Sequence, residues 1–236
     1  MTMQNTQFFT RNLLGRDFVV GDIHAQHTAF MLALREVRFD FAKDRVFSVG
    51  DLIDRGPQNK LATQLLAQRW FFAVRGNHEQ LVLDQFAPER VILRDRAHLT
   101  PRESHIKSDG HWFFELTPTE QRWYYRQFKA LPYFIEIDSD AGRVGLCHAG
   151  VPAEFTDWQT MKAKSVSREI REAVLRNRSA NSQNNAISGI GVTVHGHTGF
   201  KDIKQVNNSF WIDTFKKSGK ITLLELNDLF ARARRL

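Results

Sequence analysis

The chain has 236 residues, 42% of them hydrophobic, and a formal net charge of +7. That length buries a sizeable core, and residues 1–236 are read as a single domain. No run approaches the ~20 apolar residues that span a bilayer, Met1 to Thr10 lacks a leader pattern, and the single cysteine, Cys147, excludes an intramolecular disulfide framework. A soluble, cytoplasmic protein is expected. Positive charge favours acidic partners, but the basic residues are spread along the chain except at Arg232, Arg234 and Arg235, read as a solvated, frayed terminus. Neither nucleic acid nor membrane is expected as a partner.

A polar lead, read as disordered, precedes Asp17 to Val20, a short apolar strand that stops at Gly21-Asp22-Ile23-His24. Asp22 and His24 are two apart, and in an extended segment they point to one side and could share a cation. From Ala25 to Val37 the residues Phe30, Leu34 and Val37 recur at helical spacing and return the chain to a second strand, Val46 to Val49. That strand ends at Gly50 and runs into Asp51-Leu52-Ile53-Asp54-Arg55-Gly56. Asp51, Asp54 and Arg55 are costly to strip of water unless opposite charge meets them, and they stand at the C-terminal edge of a strand, where open α/β sheets bind ligands. A helix over Leu61 to Leu66 and a strand over Trp70 to Val74 then lead into Arg75-Gly76-Asn77-His78-Glu79. Three consecutive strands thus end in polar clusters at one sheet edge.

Residues 84–130 are rich in charge and aromatics and are read as a cap insertion, with Thr117-Pro118-Thr119-Glu120 marking a helix start ahead of Trp123 to Phe128. His98, His105 and His111, like His27 earlier, are read as surface or packing histidines. Beyond Pro132, strands at Tyr133 to Ile137 and Val144 to Cys147 flank a turn and end at His148-Ala149-Gly150, with Cys147 as a buried core residue. Glu154 to Gln183 reads as helix and loop and carries Arg171, Arg176 and Arg178. Val192 to Val194 stops at His195-Gly196-His197-Thr198-Gly199, and Phe210 to Ile212 with Ile221 to Leu224 complete a second sheet.

Taken in order, G-D-I-H, G-D-L-I-D-R-G, G-N-H-E, H-A-G and H-G-H-T resemble the PPP-type serine/threonine phosphoprotein phosphatases of the calcineurin-like metallophosphoesterase superfamily, in the bacterial and bacteriophage lambda branch. The resemblance runs from Asp17 to Leu224, and G-H-W-F-F around Trp112 and N-S-Q-N at Asn181 to Asn184 share it. It implies an α/β fold: a metallophosphoesterase-type two-sheet β sandwich flanked by helices, with a dimetal site at the C-terminal ends of the strands and a small cap segment. It also implies that Asp22 and His24 bind one metal, that Asp51 bridges two, and that Asn77, His148 and His197 complete the second site, with His195 behind them. Mn²⁺ is the expected metal, with Fe or Zn²⁺ as alternatives, because hard oxygen ligands are mixed with imidazoles. Two such cations bring a formal charge that Asp22, Asp51 and a bridging hydroxide reduce without cancelling, which leaves the site attractive to a phosphate dianion. Metals ~3.5–4 Å apart supply that hydroxide near neutral pH.

Arg55 and Arg176 are expected to clamp the phosphate, with Arg178 as the alternative to Arg176. His78, held by Asp54, is expected to protonate the leaving alkoxide. Two departures from the family pattern stand out: Ala25 replaces a glycine, and Phe215-Lys216 replace small residues after Ile212-Asp213-Thr214. The expected activity is metal-dependent hydrolysis of phosphoserine and phosphothreonine in proteins, with phosphotyrosine left open, by a monomer. The alternatives are a diadenosine tetraphosphate-type dinucleoside polyphosphate hydrolase and, from another class, an inactive module that binds phosphoproteins.

Overall fold

The computed structural model describes residues 5–87, 99–178, 180 and 184–234. In chain order they form β1 (Thr6–Phe9), β2 (Asp17–Val20), α1 (His27–Glu36), β3 (Arg45–Ser48), α2 (Asn59–Gln64), β4 (Phe71–Ala73), α3 (Asn77–Asp84), α4 (Pro101–Ile106), α5 (Pro118–Lys129), β5 (Phe134–Ser139) and β6 (Gly142–Leu146). These are followed by α6 (Trp158–Lys164), α7 (Arg168–Arg176), β7 (Val192–His195), β8 (Lys204–Val206), β9 (Ser209–Trp211), α8 (Phe215–Ser218), β10 (Leu223–Glu225) and α9 (Leu226–Ala233).

All four residues of β2, Asp-Phe-Val-Val, are buried, as they must be in a strand covered on both faces. Phe18 and Val20 face one core with Phe30 and Leu34 of α1, while Val19 faces another. Two sheets result. One has the order β10-β2-β3-β4 and the other β1-β5-β6-β7-β9-β8. Val19, Phe47, Val49 and Val74 pack against Ile135, Leu146, Val194 and Phe210 of the opposite sheet, so the central core is the interface between sheets. Helices close the outer faces: Trp158, Met161, Val174 and Leu175 of α6 and α7 cover Phe134 and Cys147. No helix among the described residues is long and apolar enough to cross a membrane.

The α5 start follows its sequence signal. Thr117 accepts from the Glu120 backbone N–H, Glu120 accepts in return from the Thr117 N–H, and Pro118 fills the first turn. Tyr124 and Phe128 of this helix, with Phe113, enter the same core as β2 and α1.

Several expectations need correction. The polar lead contains β1, which pairs in parallel with β5, Thr6 lying opposite Phe134. Ile221 to Leu224 is expected in the second sheet, yet β10 pairs antiparallel with β2. Of the basic tail, Arg232 lies in α9 and both Arg232 and Arg234 are exposed, while Leu226, Leu229 and Phe230 of α9 are buried against the central core. Arg235, His98 and Asn181 to Gln183 of the N-S-Q-N stretch lie outside the described residues.

Candidate metal centre

The strands β2, β3 and β4 run parallel and end side by side. The parallel strands β6, β7 and β9 bring their own ends to the site from the other sheet. Backbone hydrogen bonds tie the loops beyond them: His24 N–H donates to Asp51 O at 2.9 Å and Ala25 N–H to Leu52 O at 2.7 Å. Buried Glu79 is a second tie, because its carboxylate accepts the N–H groups of Gly76, Asp51 and Leu52 at 2.8–2.9 Å. Burial, then the nearby Asp51 charge, pushes the Glu79 carboxyl up to about 6, against those hydrogen bonds. Any Cβ at Gly76 would collide with Asp51, and any at Gly196 with Asp22, so both glycines are required by close approach.

Six of the nine non-glycine residues with positive φ among the described residues lie in this region: His24, Ala25, Asp51, Asp54, Arg55 and His197, with φ of 44–68°. Such conformations cost of order 1–3 kcal/mol each and concentrate where function demands them. They also correct the local argument for Asp22 and His24. With His24 at φ 44° the segment is not extended; the two side chains meet, His24 Nε2 lying 3.7 Å from Asp22 Oδ2, because the loop turns. Ala25 does occupy the left-handed conformation that favours the glycine it replaces.

Asp51 Oδ2 is the hub. It lies 3.8 Å from His24 Nε2, 3.7 Å from His78 Nε2 and 3.3 Å from His148 Nε2. On the far side, Asn77 Oδ1 is 3.0 Å from His148 Nε2 and 2.6 Å from His197 Nδ1. Two groups of donor atoms, His24-Asp51-His78 and Asp51-His148-His197, each converge within 4.8 Å. Asp51 belongs to both. The rings are oriented from behind, His24 Nδ1 donating to Ile53 O at 3.1 Å and His148 Nδ1 to Val49 O at 2.7 Å, which leaves each Nε2 turned inward. His195 turns away and bonds Cys147 O and Thr193 Oγ1.

The electrostatics fit cations. Burial, followed by Asp213 and Asp51, drives the Asp22 carboxyl well above its usual range. Burial also raises Asp213, whose Oδ1 is buried with no hydrogen-bond partner. Burial works against the Asp51 charge too, but His148, His78 and His24 outweigh it and hold that carboxyl well below its usual range. Burial and the neighbouring His78 lower His24 to about 3, so its ring is neutral, with the Nε2 lone pair turned inward. At His148 burial is overcome by Asp51 and Asp22, and the ring rises to about 9. Three buried carboxylates around inward-facing imidazoles are stable together only with compensating positive charge. Asp22, Asp51, His24, Asn77, His148 and His197 therefore suit a pair of divalent ions.

Arg55 Nη1 lies 2.7 Å from His24 Nε2 and its Nη2 3.4 Å from His78 Nε2, which puts a guanidinium at the rim of the cluster. Arg176, at the end of α7, pairs with Glu172 at 3.1 Å, and its Nη2 is buried without a hydrogen-bond partner. Arg178 is exposed. Burial and His148, with smaller contributions from Arg178 and Arg176, hold the His197 ring well below its usual value. His78 Nδ1 meets Asp54 Oδ2 at 2.7 Å. His27 and His111 stay outside these clusters.

Two residues escaped the sequence reading. Asp213 stands just beyond the end of β9, and the signal was available: one more carboxylate after one more strand at the same edge. His105, read as a surface or packing histidine, is fully buried and bonds Asp54, as does Trp112. Nothing local announced this, since His105 and Asp54 are 51 positions apart.

Residues 18–224 match the calcineurin-like phosphoesterase family. The chain is 33% identical over 213 residues to serine/threonine-protein phosphatase 1 of Salmonella typhimurium, covering 89% of this chain and 91% of that one. It is 30% identical over 213 residues to serine/threonine-protein phosphatase 2 of Escherichia coli, covering 89% and 92%. A symmetrical bis(5'-nucleosyl)-tetraphosphatase of Pseudomonas fluorescens is 29% identical over 166 residues, covering 66% of this chain and 48% of its own.

Proposed function

The chain belongs to the calcineurin-like phosphoesterase family and is a phosphatase; from that premise we propose that it hydrolyses phosphoserine and phosphothreonine in proteins. The observation that carries this reading is the convergence of four other loops on Asp51, with a buried imidazole-carboxylate pair at its edge. Sequence similarity spanning nine-tenths of two bacterial serine/threonine phosphatases supports protein substrates over dinucleoside polyphosphates, for which the sequence match covers 66% of this chain and 48% of the relative.

In this reading Asp22, His24, Asp51, Asn77, His148 and His197 would together hold two divalent ions, with Asp51 common to both donor groups. When bound, two divalent cations, Mn²⁺ in our reading, supply Lewis acidity to a phosphoryl oxygen and lower the pKa of a shared water. The protein's own work is positioning. Arg55 and Arg176 offer planar forks to the equatorial phosphoryl oxygens, which carry the charge of the transition state. His78 holds a proton on Nε2 for the leaving serine oxygen, while its Nδ1–H is fixed on Asp54. The catalytic unit is proposed to be a single cytoplasmic monomer domain with residues 84–130 as its cap.

The test is turnover by purified protein in Mn²⁺. Phosphoserine and phosphothreonine peptides are expected to be hydrolysed faster than diadenosine tetraphosphate. The reverse order would move the chain to the nucleotide hydrolases, and no turnover of either would leave only a binding role.

A further inference from the structure

Asp54 is where the cap segment reaches the proton-delivering pair. Its side chain is fully buried, and a carboxylate kept from water needs its lone pairs matched by donors. Oδ2 accepts from His78 Nδ1 at 2.7 Å and from His105 Nε2 at 3.1 Å, and Oδ1 accepts from Trp112 Nε1 at 2.7 Å. The Asp54 backbone is pinned as well, its N–H donating to Asn59 Oδ1 at 2.8 Å. Two of the three side chains on this carboxylate thus come from residues 101–115 and not from the metal loops.

His105 is built for this contact. Its Nδ1 is buried and has no hydrogen-bond partner. A neutral imidazole carries one N–H, and placing it on Nε2 serves Asp54, whereas the other tautomer would aim a lone pair at a carboxylate and leave a buried N–H unmet. The ring is also boxed in. A Cβ at Gly110 would collide with its Cδ2 and Nε2, and the rings of Phe113 and Phe114 stand 5.6 and 5.7 Å away.

We infer that His105 is a positioning residue for proton delivery: with Trp112 it fixes the plane of the Asp54 carboxylate, so that Oδ2 stays on His78 Nδ1 and His78 Nε2 stays aimed at the leaving oxygen. This rests on the proposed role of His78. In the step it serves, the bond from phosphorus to the serine oxygen breaks and that oxygen takes the proton from His78 Nε2. Water gives its hydroxyl to phosphorus and its remaining proton back to His78. The contribution of His105 therefore scales with the leaving group's need for a proton. A serine alkoxide needs one, whereas p-nitrophenolate departs as a stable anion.

The experiment measures kcat and KM on a phosphoserine peptide and on p-nitrophenyl phosphate for wild type, His105→Leu, His105→Gln, Trp112→Phe and His78→Asn, with Tm and metal content for each. His105→Leu is expected to lower peptide kcat about 10-fold, as when a hydrogen-bonded partner behind a site histidine is lost. Its KM and metal content stay unchanged, and kcat on p-nitrophenyl phosphate stays within about twofold. His105→Gln, which keeps a donor at that place, is expected to restore most of the loss, and Trp112→Phe to show the same substrate pattern more weakly. Equal losses on both substrates, or no loss, would reduce His105 to packing. If His78→Asn is selective for the peptide and His105→Leu is not, this inference fails alone; if His78→Asn treats both substrates alike, the proton-donor reading fails and takes the inference with it. Should His105→Leu not fold, Trp112→Phe, which removes one N–H, decides by the same selectivity.

Discussion

His78 Nδ1 and Asp54 Oδ2 lie 2.7 Å apart with both side chains buried, and Asp54 stands three residues beyond the hub carboxylate of Asp51. One loop therefore sets both the hub carboxylate and the carboxylate that holds the His78 ring. His78 also gives its backbone N–H to Asp51 Oδ1 at 2.9 Å, so its ring and its backbone serve different carboxylates.

His78→Asn keeps that backbone bond and removes the ring. Peptide kcat is expected to fall by about 10²–10⁴, the span typical of a lost general acid. Bound metal, measured by elemental analysis, is expected to stay at the wild-type level. Unchanged turnover would remove His78 from the chemistry.

Arg55 reaches the rim of the cluster, where it meets the Nε2 atoms of His24 and His78. Charge-assisted hydrogen bonds are worth about 1.5–3 kcal/mol, so Arg55→Ala is expected to weaken inhibition by inorganic phosphate by about 10–100-fold. Arg176→Ala is expected to act in the same direction, and Arg178→Ala less. A larger effect at Arg178 would exchange the two roles.

Much of the site was legible because strands buried on both faces write continuous apolar runs, and each run here is cut short by a polar cluster. Asp22, Asp51, Asn77, His148 and His197 all follow such interruptions. What stayed hidden depends on distant pairing. The four residues of β1 carry no local strand signal that outweighs their polar surroundings, and their partner β5 is more than a hundred residues away. β10 joins β2 for a like reason: its sheet is chosen by the far end of the chain. His105 looked like any histidine on a short polar helix, and only the folded cap brings it to Asp54.

Asp84, at the end of α3, is a stability cost that the fold tolerates. Burial pushes its carboxyl up to about 6, opposed by the Gln80 hydrogen bond and by Arg176. Because the folded state binds this proton more tightly than the unfolded chain, with its ordinary value near ~3.9, the contribution to stability is full below that value and is lost as pH rises through the folded one. At neutral pH the charged form therefore penalises the fold. Asp84→Asn is expected to raise stability by about 1–3 kcal/mol at pH ~7.5 and to change it little near pH ~4. A Tm for Asp84→Asn below that of wild type at the higher pH would contradict the sign.

Asp51, whose carboxylate belongs to both groups of donor atoms, is proposed to serve two ions on which turnover depends. Metal stoichiometry measured beside phosphopeptide turnover, for wild type and Asp51→Asn before and after chelation, tests it most directly. Two divalent ions per wild-type chain are expected, with loss of activity in the chelator, recovery on adding Mn²⁺, and weakened binding of both ions together with lost turnover in Asp51→Asn. Full turnover by a chelated, metal-free chain, or an Asp51→Asn variant that holds both ions and works normally, would contradict it.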